Sequence, residues 1–451
     1  MNFFERSLAV TLFLSSFAVS VRAQSSEPTP RHITLSEAVQ LALKHNHTVR
    51  IAGYTVEESQ HAKDVARSGY FPSLTNQSQI FRVTDTQFIQ IGAGSLGTVA
   101  GTAIPVQPVT LNQGGKTFVT SGTQLSQPLT QLFTRVKPAN DAARADLSAS
   151  RANEQETENE IALRVHQIYY QVLITQLHRS ATEAKIRAAQ AMQSERVEQV
   201  KYGSTLDAQL IESRAQTLEA KQDLLTTDLQ LSDLTMQLND VMGLPVTTQL
   251  ALDNDVPAAP ETCKREECVK MALASHPEIG AARAEVEKAS AGVRLSKADY
   301  FPDISAFARY SYQSGVPFLA RNFGSFGAAL TYDLFDGGRR RAALRESDSK
   351  LAQAKENLAR VTDDVEVNVE TALNKLDRTK EMVNVSQQVL ALRSESSRVT
   401  AQQLVRGEAL QSQADATAAQ ELDAKALLLQ SQLGYMQAHD ELLQAMGLTS
   451  Q

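Results

Sequence analysis

The sequence predicts a mainly α protein with a pair of β-hairpins, built as two tandem copies of one helix–β-hairpin–helical-hairpin unit. Three observations predict it: an internal repeat, two very long stretches with coiled-coil spacing, and weakly alternating segments placed directly after Phe-Pro stops. The repeat is the strongest, because self-similarity at a fixed offset marks duplicated architecture. Tyr70-Phe71-Pro72 recurs as Tyr300-Phe301-Pro302, an offset of about 230 positions that also pairs Glu37 with Glu267, Val39 with Val269 and Ala42-Leu43 with Ala272-Leu273. Met242-Gly243-Leu244 recurs as Met446-Gly447-Leu448 at an offset of about 204, shared by Gly203 with Gly407, Ile161 with Val365, Val165 with Val369 and Val172 with Leu376. The first copy therefore carries about 26 extra residues. They fall between Thr84 and Lys116, in a stretch rich in Gly, Thr and Gln that suits a long exposed loop.

Taken in order, residues 1–23 read as a secretory signal peptide. Arg6 supplies the positive n-region, residues 8–19 the apolar core, and Val21-Arg22-Ala23 an A-x-A-like cleavage site. A membrane anchor is the weaker reading, because the apolar run falls short of the ~20 residues a spanning helix needs. No Cys follows the cleavage site, which disfavours a lipid anchor, and no other segment could span a bilayer as a helix. An exported chain of this kind is soluble in the periplasm, secreted, or a β-barrel.

The first copy occupies 24–252 and the second 263–451. Each opens with a helix, at 35–68 and 267–298, with Ser36 the expected N-cap of the first. Phe-Pro ends each helix, since the residue before proline is pushed out of the α region. Strands are expected at about 73–84 and 116–129, then at 303–313 and 322–335. Ile304, Ala306, Ala308, Tyr310 and Tyr312 share one face, and weak alternation over ~10 residues fits a barrel strand. A soluble hairpin would look similar, but a lone hairpin is too small to be stable, so these strands must pair with something else.

Helical hairpins follow at 139–242 and 340–446. Ile161, Val165, Ile168 and Val172 step by four, three and four, and Leu224, Leu231 and Leu238 by seven, which makes coiled-coil seams. A helix of ~60 residues would reach ~90 Å. Gly203 and Gly407 interrupt the long stretches and read as tight turns between antiparallel helices rather than kinks, with Ser204 the expected N-cap of the returning helix. Between the copies, 253–262 is rich in Pro and Asp and reads as a linker. Cys263 and Cys268 are close enough for a local disulfide in an oxidising compartment, although Cys268 also suits a small buried helix position. Two thiolates make only half a zinc shell.

Composition excludes several classes. The net charge is -7 with no dense basic patch, which argues against nucleic acid as a partner. No phosphate-binding glycine loop, G-x-S-x-G or metal-ligand spacing is present, so no enzyme activity and no cofactor are expected. His45 and His47 do not share a helix face.

The order of parts resembles the TolC-type outer-membrane efflux factors over nearly the whole mature chain. The resemblance is carried by Leu35-Ser36-Glu37-Ala38-Val39, Met271-Ala272-Leu273 with His276-Pro277-Glu278, both Tyr-Phe-Pro triplets and Leu125-Ser126-Gln127-Pro128-Leu129. Leu330-Thr331-Tyr332-Asp333-Leu334-Phe335-Asp336-Gly337-Gly338 and both Met-Gly-Leu ends complete it. It implies a homotrimer in the outer membrane. Each protomer would give four strands to a 12-strand β-barrel in lipid and four helical columns to a long periplasmic α-barrel. It implies a passive exit duct in a tripartite efflux or type I secretion system, partnered by a periplasmic adaptor and an inner-membrane transporter. The adaptor-contact tips would be Val200, Tyr202, Gly203 and Ser204 with Leu404, Arg406, Gly407 and Glu408. Family members often carry Asp six residues past the turn glycine, at the pore constriction. Here Gln209 and Gln413 stand there, with Asp207 and Asp415 nearby but out of register, so the throat would be polar rather than a carboxylate ring. The competing reading is a soluble periplasmic coiled-coil adaptor or spacer, which duplicated hairpins without flanking β-rich domains fit poorly.

Overall fold

The computed structural model describes residues 31–85, 88–112, 116–253, 263–315 and 320–448. The signal expected at 1–23 lies outside the described residues, as does the linker beyond Asp253. The first copy runs β1 (Arg31–Ile33), α1 (Leu35–His45), α2 (His47–Ser68), β2 (Ser73–Arg82), the short strands β3 (Phe88–Ile91), β4 (Thr98–Val99), β5 (Thr102–Ala103) and β6 (Val109–Asn112), then β7 (Thr117–Pro128). A π-helical turn at Leu132–Val136 leads into α3 (Lys137–Lys201), followed by α4 (Asp207–Val241) and β8 (Leu250–Leu252). The second copy runs α5 (Arg265–Ser275), α6 (Pro277–Ala298), β9 (Asp303–Ser314), β10 (Asn322–Thr331), α7 (Arg339–Val405) and α8 (Gln411–Ala445).

The opening helix of each copy is two helices, not one. Asn46 breaks the first: it caps α2 by accepting from Thr48 N at 2.8 Å and donates from Nδ2 to Val241 O at 3.1 Å. His276 does the same before Pro277, its Nδ1 accepting from Glu278 N at 3.2 Å. These breaks explain the repeated Met-Gly-Leu ends. Met242 and Met446 are buried, and Gly243 and Gly447 take φ of 68° and 74°. A Cβ on Gly243 would sit 2.8 Å from His45 Cβ, and one on Gly447 would sit 2.8 Å from His276 Cα, so only glycine lets the long helix end against the break. The N-cap of α1 is Thr34 rather than Ser36, in a reciprocal capping box with Glu37.

Four strands form one antiparallel sheet in the order β10-β9-β7-β2. β10 stops at Thr331, short of 335, because Asp336 turns the chain: its carboxylate accepts from Gly338 N at 3.0 Å and Arg340 N at 3.1 Å, and Gly337 and Gly338 have positive φ. The register aligns Phe326, Ala308, Leu125 and Leu74 in one row across all four strands. The inserted loop folds on itself as two small hairpins, β3 with β6 and β4 with β5.

Below the sheet, the duplication builds two matching cores. The first gathers Ala38, Val39, Ala42, Val165, Val172, Leu238 and Met242. The second gathers Cys268, Ala272, Val369, Leu376, Leu442 and Met446, each at its repeat offset from a member of the first. The seam spacing read from the sequence thus faces inward where α3 and α7 meet their own hairpin partners. The copies are tied down differently. β1 pairs in parallel with β8, burying Ile33. In the second copy, Cys263 and Cys268 stand at the positions of Ile33 and Ala38 and are disulfide-bonded, with Cα atoms 5.6 Å apart.

Candidate functional site

At the far ends of the hairpins, both glycines reverse the chain. Gly203 has φ of 67°, donating to Val200 O at 2.9 Å while Ser204 N reaches Gln199 O at 2.9 Å. Gly407 has φ of 76°, with Gly407 N to Leu404 O at 2.9 Å and Glu408 N to Gln403 O at 2.8 Å. This is the left-handed C-terminal cap that satisfies the last helical carbonyls. Ser204 does not cap α4. Its Oγ donates to Gln199 O at 2.8 Å, closing α3 instead, and Leu206 takes the N-cap position without a side-chain bond.

The turns expose Tyr202, Gly203, Ser204, Arg406, Gly407 and Glu408, whereas Val200 and Leu404 are half-buried within their hairpins. Three outward apolar side chains were absent from the sequence reading: Leu206, Val405 and Leu410. Leu206 and Leu410 share the repeat offset, which was the available signal.

Asp207 opens α4 in its first turn, where the helix dipole favours a carboxylate. Gln209 is exposed and accepts from Thr205 Oγ1, Gln413 accepts from Leu410 N at 3.1 Å, and Asp415 accepts from Gln411 Nε2 at 3.0 Å. These bonds keep each candidate within its own turn, and none joins the first pair to the second. Near the tips the two hairpins are linked by Glu195 of α3, which accepts from Ser412 N at 2.8 Å and from Ser412 Oγ, capping α8 from outside.

Higher up the same α3–α8 seam lies a buried polar cluster. His166 Nδ1 is 2.6 Å from Asp440 Oδ2, Tyr170 OH donates to the same oxygen at 3.3 Å, and His439 Nδ1 is 3.9 Å from Oδ1. Burial alone would push the Asp440 carboxyl up, but hydrogen bonds and charge from His166 and His439 outweigh it and hold it below the usual carboxylate value. Beside it, where α6, α7 and α8 meet α3, a cleft of about 320 Å³ is lined by Glu156, Glu160, His276, Glu278, Lys375 and Glu441. Burial, then the charges of Glu278 and Glu160, push Glu156 up to about 7. Among the described residues no group of three His, Cys, Asp or Glu side chains is arranged to hold a metal ion, and no helix is long and apolar enough to cross a membrane.

The profile of the family described as Outer membrane efflux protein matches residues 268–448, the second copy. Over 400 residues the chain is 24% identical to Outer membrane efflux protein BepC of Brucella suis, covering 85% of this chain and 77% of that protein. This chain is similar to the TolC-type outer-membrane efflux proteins. It resembles proteins described as outer-membrane efflux components rather than soluble adaptors. It is also 27% identical over 224 residues to the pyoverdine export outer membrane protein OpmQ of Pseudomonas putida, an alignment spanning about half of each, 48% of this chain and 46% of the relative. The fold matches the CmeC outer membrane channel of Campylobacter jejuni with a TM-score of 0.75 at 14% identity, over 98% of this chain and 94% of that one.

Proposed function

We propose that three copies of this chain close into one passive duct, a twelve-stranded barrel in the outer membrane continuous with a periplasmic helical tube. The observation that carries this is a mismatch between the copies. On α8, Leu433 is 1% exposed and packs on α3, while its repeat counterpart on α4, Leu229, is 63% exposed. On α3, Ala181 is 1% exposed, while its counterpart on α7, Val385, is 55% exposed. Each protomer thus seals α3 against α8 and leaves the equivalent faces of α7 and α4 open, as a ring of protomers requires. The sheet is open in the same way, with β2 and β10 at its edges, and open strand edges are not tolerated in lipid. Exposed Phe71, Phe133, Phe301, Leu334 and Phe335 gather where sheet meets helices, the composition of a membrane-interface girdle.

In this reading residues 1–23 direct export and are removed, the tips dock a periplasmic adaptor that couples the duct to an inner-membrane transporter, and Asp207, Gln209, Gln413 and Asp415 line the constriction. Leu225→Lys with Leu229→Lys places charge on the open α4 face and converts the detergent-solubilised trimer to monomers by light scattering. A wild-type chain that is monomeric in detergent overturns the assembly. Tyr202→Glu with Leu206→Glu spares the turn glycine, so the trimer persists while pump-dependent export falls at least about tenfold, as expected when charge enters an apolar contact. Unchanged export at normal expression removes the tips from the adaptor interface.

A further inference from the structure

The barrel segment differs in charge from the rest of the chain. Residues 73–130 and 303–331 carry Arg82, Lys116, Arg309 and Arg321 against Asp85 and Asp303, in a chain whose net charge is -7. Three of these cations lie at the loop end of the sheet. Arg82 pairs with Thr117 at the last register position, Lys116 Nζ donates to Thr84 O at 3.2 Å, and Arg321 O accepts from Gln313 N at 2.8 Å.

Arg309 is different, because it stands in the middle of β9. Its cross-strand neighbours are Ser325 on β10 and Gln124 on β7, so neither neighbour neutralises it. Side chains alternate between the two faces of a strand. Arg309 therefore shares its face with Ser311 and Gln313, while Ala308, Tyr310 and Tyr312 take the other. The Arg309 face is the concave one: a depression of about 340 Å³ in the sheet is lined by Gln77, Gln79, Gly122, Arg309, Ser311 and Gln313, among others. Gly122 on the neighbouring strand makes room for it. A Cβ at 122 would lie 2.9 Å from Arg309 Nη2 and 3.1 Å from Nε but 3.4 Å from Cζ, so the guanidinium turns that edge toward the glycine, close to the wall.

We infer that Arg309, brought together three times in the assembly proposed above, forms a guanidinium girdle inside the barrel that favours anionic cargo, small molecules carrying carboxylate or phosphate groups. Strands about 4.8 Å apart and tilted about 40° set the wall of a twelve-stranded barrel about 12 Å from its axis. Guanidiniums standing about 3–4 Å inside that wall are about 8–9 Å from the axis, close to the Debye length of about 8 Å at physiological salt. The carboxylates proposed for the constriction, Asp207 and Asp415, stand at the far ends of helices of 65 and 67 residues, many Debye lengths from Arg309, and do not neutralise the girdle locally. Rings of one charge sign set the sign of permeant ions.

The test uses the full-length protein in planar bilayers under a potassium chloride gradient. Arg309→Glu replaces three positive charges by three negative ones, so the potassium-to-chloride permeability ratio rises about threefold or more, most at low salt. Arg309→Lys keeps the native ratio. Calorimetry with inorganic pyrophosphate reads the girdle even where the periplasmic end is shut: heat of binding at low salt is present in the wild type and lost in Arg309→Gln. A trimer in which Arg309→Glu changes neither reading overturns the girdle and leaves the assembly standing. A wild-type chain that is monomeric in detergent overturns both.

Discussion

The α3–α8 seam and the open faces of α7 and α4 are copies of one another, yet they have taken different chemistry. Within the protomer the seam buries His166, Tyr170 and Asp440. At the repeat offset, His166 corresponds to Glu370, which is half-exposed and paired with Arg265, and Asp440 corresponds to Met236, which is exposed. Glu195 and Ser412, bonded across the lower seam, correspond to Val399 and Ala208, which cannot repeat that bond. Within the chain the polar groups of the seam are buried and bonded to one another, whereas Glu370 and Asn374 on α7 bond to Arg265 and Met236 on α4 stands exposed. A buried charge needs a partner held in place. A covalent chain guarantees that partner, whereas a face waiting for another protomer must first survive exposed.

The largest expected effect comes from breaking the polar seam. Asp440→Ala leaves His166 buried without its partner and should lower unfolding stability by about 3–5 kcal/mol. His166→Leu with Asp440→Met replaces the pair by apolar side chains and should recover most of that loss, because an apolar replacement of a buried pair is often neutral. Chemical denaturation of the detergent-solubilised protein measures both, and a double variant no better than Asp440→Ala would break the comparison. The pH dependence has a definite sign. Asp440 is held below its unfolded value, so its contribution is present above the ordinary carboxylate range and lost as pH falls through the depressed value.

A second test compares how the copies are fastened. Cys263→Ser removes a short covalent loop worth about 2 kcal/mol in the chain-entropy account. Its effect should be local: hydrogen exchange should quicken in α5 and not in α1, which β1 and β8 secure. Equal quickening in both would mean that the two cores do not act as separate units.

The smallest effect concerns Glu156, whose counterpart Arg360 lies on the exposed side of α7, paired with Asp364. Glu156 is raised to about 7, so the folded protein holds its proton longer than the unfolded chain and stability falls as pH rises from the ordinary carboxylate range toward neutrality. Glu156→Gln should therefore raise the melting temperature at about pH 8 and much less at about pH 5. An equal rise at both would assign the effect to packing rather than charge.

What the sequence disclosed follows from what periodicity can carry. Seven-residue steps along 224–238 and paired glycines at 203 and 407 are local signals, and they located the hairpins to within a few residues. The breaks at Asn46 and His276 were also local. Asn two residues before Thr48 N, and His directly before Pro277, are cap signals that a continuous apolar pattern on both sides concealed. The polar seam could not be read in advance, because His166 and Asp440 stand 274 positions apart and neither has a patterned neighbour. The disulfide was open in the sequence, since Cys268 satisfies a buried helix position whether or not it is bonded. Leu206 and Leu410 share the repeat offset, but a lone leucine before a helix has the pattern of a core position, so its outward direction is not legible in the sequence.

The repeat also bears on ancestry. A single unit of this kind would ring up as six identical chains, with one seam serving every junction and each substitution entering six times. Fusion of two units makes half of those junctions intramolecular, where effective concentration replaces encounter between separate chains. Selection could then let the linked seam accumulate buried polar pairs that fix its alignment, while the unlinked seam stayed greasy enough to find its neighbour. The His166–Asp440 pair marks the junction that no longer had to assemble.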